Sequence, residues 1–219
     1  MRKHALLCAV LFTFTIAHGA EAQLKKLSFD IPSFFTPQPM DDIGIYITSI
    51  DEGFADNSTG LAVIWRQSGN LNLGVRVGAA DLSDIGQTIL LGGEFYGPLG
   101  GLFSGGSIDV AWVLGAGAVF GDDYVMATVP AGLSLGLRLG TGSVSIVPYV
   151  HPRVTLDVLA VGEGDNEETD TGASFVLDIG AEARLGPRFI LRAGGSLIDR
   201  EAFGAGIAYH WPRPVSVVR

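Results

Sequence analysis

Phe203-Gly204-Ala205-Gly206-Ile207-Ala208-Tyr209-His210-Trp211 is the stretch whose reading decides the fold. Phe203, Ala205, Ile207, Tyr209 and Trp211 form one set of alternate residues, and Gly204, Gly206, Ala208 and His210 form the other. A period of two sends such sets to opposite faces of a β-strand. The same division recurs upstream. Leu71, Leu73, Val75 and Val77 alternate with Asn72, Gly74, Arg76 and Gly78, and Leu133, Leu135, Leu137 and Leu139 alternate with Gly132, Ser134, Gly136 and Arg138. Phe175, Leu177, Ile179 and Leu185 likewise oppose Ser174, Asp178, Gly180, Glu182 and Arg184. One face collects large apolar side chains, while the other holds glycine, small residues and most of the charge. A soluble ligand-binding barrel would be apolar within and polar without. The pattern here is the reverse, that of a transmembrane β-barrel with lipid outside and a crowded polar lumen.

Ten segments read as strands: 43–50, 59–66, 70–79, 87–96, 108–120, 124–139, 144–160, 173–185, 188–197 and 202–211. They predict an all-β, up-and-down antiparallel barrel. Ten is even, as a single-chain bacterial barrel with both termini on one side requires. Gln67-Ser68-Gly69, Gly140-Thr141-Gly142-Ser143 and Leu185-Gly186-Pro187-Arg188 are tight turns that all fall on the periplasmic side. The connection 97–107 is long for that side, and eight strands is the alternative if two weaker segments belong to loops. Pro130, Pro148 and Pro152 each remove a ladder donor, so bulges, bends or strand ends are expected there.

The chain opens with Arg2 and Lys3, an apolar run from Ala5 to Ala17 and the small-x-small triplet Ala20-Glu21-Ala22. Residues 1–22 therefore read as a secretory signal peptide cleaved after Ala22. Cys8, the one cysteine, falls inside it, with Leu7 before it where a lipoprotein signal needs a small residue. Residues 23–42 do not alternate and contain Pro32, Pro37 and Pro39. They are expected to form a periplasmic arm packed beneath a barrel spanning 43–211, with Phe34 and Phe35 plugging the lumen as the other option. Residues 212–219 form a tail. No apolar run after the signal approaches the ~20 residues of a spanning helix. Glycine, 31 of 219 residues, suits tight turns and close backbone approach.

Removing Arg2, Lys3 and Glu21 from 14 basic and 23 acidic residues leaves 12 and 22, a net charge of −10. That balance argues against nucleic acid, which needs a basic surface. The connections opposite the tight turns (51–58, 80–86, 121–123, 161–172 and 198–201) hold many acids, among them Asp81, Asp122, Asp170, Asp199 and Glu201, against Arg200 alone. They predict an acidic extracellular crown, with weak, nonspecific Ca²⁺ or Mg²⁺ bridging to anionic lipid. The segment Gly162–Asp170 resembles a calcium loop only superficially, since it lacks helix flanks and ligand spacing.

The inward set contains Arg66, Arg76, Arg138, Arg153, Arg184 and Arg192 with Glu94, Asp109, Asp178 and Glu182, and no lysine. Planar guanidinium groups pair bidentately with carboxylates, so this set predicts a lumen charge network that fills and stiffens a narrow interior. The other reading is a polar path through those charges. His151 and His210 are the histidines left after signal cleavage. Neither finds a partner by sequence, and the acidic pair Asp122-Asp123 lies at the opposite end from His210. No catalytic, cofactor-binding or metal-ligating set is expected.

These features resemble the small outer-membrane β-barrel family of Gram-negative bacteria, over residues 43–211. The resemblance implies a bacterial outer-membrane location, contact with lipopolysaccharide, and recognition of the last strand by the barrel-assembly machinery, with Phe203, Ile207, Tyr209 and Trp211 as the signal. The aromatic end of that signal lies eight residues short of the C-terminus, a departure from the family pattern. The expected function is non-enzymatic, a structural or surface-interaction role for a monomer. The alternative is a narrow, porin-like channel or transporter for small solutes.

Overall fold

Alternation becomes ten strands in chain order: β1 (Asp42–Ile50), β2 (Ser58–Gln67), β3 (Asn72–Leu82), β4 (Gly86–Pro98), β5 (Ile108–Phe120), β6 (Tyr124–Leu137), β7 (Val144–Val161), β8 (Glu168–Leu185), β9 (Phe189–Ile198) and β10 (Ala202–His210). The computed structural model describes residues 34, 36–38, 40–50, 58–69, 72–82, 86–99, 108–122, 124–140, 144–162 and 168–211. The expected signal peptide, the tail and much of the acidic crown lie outside them. Each strand pairs antiparallel with its sequence neighbours, and β10 returns to β1, so the sheet is a closed barrel. Closure leaves no lipid-exposed sheet edge, the condition for strands to cross a bilayer. Ten strands, not eight, form the wall.

The two faces sort as the sequence requires. Ile45, Ile47, Leu61, Val77, Ile89, Leu114, Leu133, Leu191, Phe203 and Ile207 are large, apolar and exposed on the outside. Tyr46, Ile64, Arg66, Glu94, Arg153, Asp178 and Arg192 are buried within. An exposed apolar belt of this extent has lipid as its solvent, and the protein is a transmembrane β-barrel. Tyr209 meets Phe189 edge to face on the outside, where β9 begins and β10 ends, with ring centroids 6.0 Å apart.

Register is constant within every strand pair, so the bulges expected at the prolines do not form. Pairing instead lapses at Gly115 and Ala116, opposite Pro130 and Val129, and at Leu133 and Ser134, opposite Pro152 and His151. Pro148 stays in register with Ala181. Following each pair's offset once around the wall returns to β1 displaced by about 12 residues, which for ten strands sets a tilt of about 40°. Strands of β9 and β10 length, 10 and 9 residues, then rise about 24 Å, the height of an apolar membrane band.

Most strand ends shift by one to three residues from the sequence reading, and two of the shifts change what a residue does. Asp42, read as the end of the arm, begins β1, because Asp42 pairs with both Arg66 and His210. Strand β8 begins at Glu168, not 173, so Glu168, Thr169 and Asp170 of the calcium-loop-like segment belong to a strand. With β7 it forms a hairpin of two 18-residue strands, the longest in the wall.

Ile45 lies midway along β1 and is 54% exposed on the lipid side. Ile45→Arg is expected to lower unfolding free energy in phosphocholine vesicles by about 2–4 kcal/mol, and Thr59→Arg at the rim by about 1 or less. Denaturant titration of the two variants checks the difference.

Candidate functional site: the closed lumen

Arg192 organises the lower half of the interior. On β9 it stands beside Glu182 of β8 and Gly206 of β10, and Gly206 in turn faces Tyr46 of β1. With only hydrogen at Gly206, the guanidinium crosses β10 to reach β1. A Cβ there would press on Tyr46. Arg192 Nε donates to Glu182 Oε2 at 2.9 Å, Nη2 to Asp42 Oδ2 at 2.6 Å, and Nη1 to Tyr46 Oη at 2.6 Å. The second Glu182 oxygen takes Arg184 Nε at 2.7 Å. Buried charges are tolerable only when paired and hydrogen-bonded in this way.

Three further pairs repeat the device around the wall. Arg153 grips both oxygens of Asp178, at 2.9 and 3.2 Å. Glu94 lies between Arg76 and Arg66, bonded to the first and 3.7 Å from the second. Arg200 is bonded to Asp157. Asp178 also accepts from Ser196 Oγ at 2.7 Å and lies 3.4 Å from His151 Nδ1. A serine, a histidine and an aspartate thus meet, but the carboxylate stands between hydroxyl and imidazole. In that order His151 is not placed to take the Ser196 proton, which nucleophilic catalysis requires.

The expected arm does not lie beneath the barrel where it is described. Phe34 is fully buried inside it and stacks on Tyr46, with ring centroids 4.6 Å apart. Arg66 Nη2 donates to the Phe34 carbonyl at 2.8 Å, and Thr36 Oγ1 donates to Glu182 Oε2 at 3.3 Å. Gln38 is the junction: its Oε1 accepts from Arg184, at 2.6 Å, and from Arg138, and its Nε2 donates to Asp109 at 2.6 Å. Polar groups of an irregular segment find their partners on the lumen wall, as any buried backbone must. Gly204 makes room for this segment, since a Cβ there would collide with the Phe34 ring.

Above the Arg192 cluster lies an apolar seal. Tyr46, Ala62, Gly78, Leu90, Val119, Met126 and Leu159 are successive cross-strand partners from β1 to β7, so one residue row winds around the wall. Six of them, with Ile64, Ala80 and Phe34, form one buried cluster. Between β4 and β7 a cavity of about 40 Å³ is lined by Arg76, Glu94, Thr128, His151 and Arg153. That volume holds a few waters and is no path across the barrel.

All nine residues expected in the lumen network face inward. Glu94, Arg76, Arg153, Asp178, Glu182, Arg184 and Arg192 pair directly, whereas Asp109 and Arg138 meet only through Gln38. Sequence reading missed Asp42, Asp157, Gln38 and Arg200. Arg200 was assigned to the acidic crown, but it is 2% exposed and points into the barrel. The turn before it holds Ile198 at φ 83°, a conformation that β-branched residues rarely adopt. Asp199 turns back to accept from the Phe175 N–H at 2.8 Å. Phe203, Ile207 and Tyr209 line the lipid face of β10, and the Trp211 N–H donates to the Asp41 carbonyl at 3.1 Å just past its end.

Arg192→Ala leaves Asp42 and Glu182 partly uncompensated and is expected to cost about 3–5 kcal/mol. Exposed Arg188→Ala is expected to change stability by less than about 0.5 kcal/mol. Gly204→Ala, which must displace Phe34, is expected to cost about 1–3 kcal/mol. Equilibrium unfolding monitored by tryptophan fluorescence checks all three.

No family model matches the sequence, and no curated protein matches it. Solved structures similar to this chain include the N-terminal β-barrel domain of Pseudomonas aeruginosa OprF, at 14% identity and a TM-score of 0.37, covering 80% of this chain and 100% of that one. Others are LpxR from Salmonella typhimurium (10%, TM-score 0.40, 78% and 100%) and Ail, the attachment invasion locus protein of Yersinia pestis (12%, TM-score 0.33, 80% and 100%). At these identities and scores the likenesses assign no activity to this chain.

Proposed function

We propose that the protein is a non-enzymatic barrel of the bacterial outer membrane with a structural or surface-interaction role. The observation that carries this reading is the occupied lumen: paired arginines and carboxylates, Phe34, Thr36 and Gln38, and an apolar ring take up the space a solute would need. With transport disfavoured, what remains accessible is the outer surface and its acidic rim, where Asp81 and Asp122 are exposed. Export by a cleaved signal peptide over residues 1–22 supports the location. So does the β10 pattern Phe203, Ile207, Tyr209 and Trp211, which we read as the signal for the assembly machinery. Lipopolysaccharide is the expected neighbour of the upper belt, and a monomer suffices because the barrel closes on itself.

The competing reading is a narrow channel along the arginines. The refolded protein in planar bilayers is expected to give no discrete conductance events. A stable ohmic conductance, abolished by Arg138→Ala or Arg184→Ala, would establish the channel instead.

A further inference from the structure

Strand β8 is longer than the neighbour on one of its sides. Its residues Glu168–Leu185 pair along their whole length with β7, but β9 accompanies them only from Leu185 to Val176. Residues 168–175 therefore have a ladder on one side and, among the described residues, no strand on the other. At ~3.3 Å per residue the hairpin overtops β9 and β10 by roughly 25 Å of strand, on the side of the acidic connections.

The direction of the backbone groups on this edge is fixed. The Phe175 N–H donates to Asp199 Oδ2, and its carbonyl accepts from the Asp199 N–H at 3.3 Å, so Phe175 faces the β9 side. Peptide groups alternate sides along an antiparallel strand, so Ala173, Thr171 and Thr169 face the same way, out from the end of β9. The Thr171 N–H is held by the side chain of its own neighbour, Asp170 Oδ1, at 2.8 Å. A carbonyl from another chain can replace that contact without disturbing β7. Sheets normally blunt exposed edges with lysine, proline or a bulge. Residues 169–175 contain neither lysine nor proline, and their register with β7 is unbroken.

We propose that the edge Thr169–Ala173 is a docking site for an extended polypeptide of basic character, which adds to β8 as an extra strand. Three outward-facing residues can exchange about six backbone hydrogen bonds with such a segment. The basic character follows from the carboxylates beside the edge, Asp170 and Asp199, with Glu201 on the adjoining turn. A second copy of this chain would bring the same carboxylates against them, so like charge disfavours edge-to-edge pairing of two copies. The proposal rests on the surface-interaction reading. A conducting lumen would overturn that reading while leaving exchange at this edge unchanged, so the two fail separately.

The test uses the full mature chain refolded in lipid nanodiscs and a synthetic octapeptide of alternating lysine and valine, with a glutamate-valine octapeptide as comparison. Amide hydrogen exchange at Thr169, Thr171 and Ala173 is expected to slow about tenfold or more with the basic peptide. Asp170 and Gly172, already bonded to β7, are expected to keep their rates. Thr171→Pro, whose lost N–H faces away from β7, is expected to abolish the slowing. Asp170→Asn, which keeps the fold should the proline variant fail, is expected to weaken the preference for lysine over glutamate. Unchanged rates, uniform slowing along β8, or equal effects of the two peptides would overturn the proposal.

Discussion

The guanidinium of Arg192 is the interaction on which the interior depends. It is wholly buried and bonds Glu182 on β8, Asp42 on β1 and Tyr46 on β1, with β10 passing beneath it. It therefore ties together the strands on both sides of the seam where the last strand meets the first. A barrel in lipid gains little from turning apolar side chains inward, because lipid already solvates them outside. Its interior must then be held by polar groups that satisfy one another, and a planar five-donor cation fits this task better than lysine. The absence of lysine from the inward set follows from the same geometry.

The packing of the rest follows from that hub. Glu182 is shared by Arg192, Arg184 and Thr36, which draws the N-terminal segment into the network instead of leaving it below the wall. Gln38 then bridges Arg138 and Arg184, whose guanidinium groups would otherwise meet each other's charge. Above the Arg192 cluster comes the Tyr46-to-Leu159 row, with Phe34 packed in it and the Arg200–Asp157 pair beside its Leu159 end. Removing water from such a lumen strengthens each ion pair and raises the cost of breaking one. The barrel is thus closed by ion pairs and by packing together.

Much of this was legible from residue order. A period of two reports which face a side chain occupies, so the ten strands, the lipid belt and the inward face of residues such as Arg153, Asp178, Glu182 and Arg192 could be read directly. The same signal carries no information about depth along the barrel. Arg200 sits in a turn, where alternation ends, and it enters the lumen only because Ile198 takes a left-handed backbone and Asp157 awaits it. Asp42 was masked by its position beside the irregular arm. The sequence around Phe34, Thr36 and Gln38 has no periodicity, and the place of these three residues in the lumen is set by tertiary partners such as Gly204, where a missing side chain leaves room for Phe34. The overhang of β8 was hidden because its acidic, threonine-rich start reads as loop composition.

The proposed surface role rests on a filled interior, which is the claim most open to direct observation. Arg153, Arg184 and Arg192 each donate Nε–H to a carboxylate within the barrel. Nitrogen-15 NMR of the guanidinium Nε–H groups in lipid nanodiscs measures their exchange with water. Slow exchange, with no relaxation enhancement from a soluble paramagnetic agent, is predicted for the buried Arg153 and Arg192, against fast exchange for exposed Arg188. Solvent-rate exchange at Arg153 and Arg192 would contradict the closed, internally paired lumen.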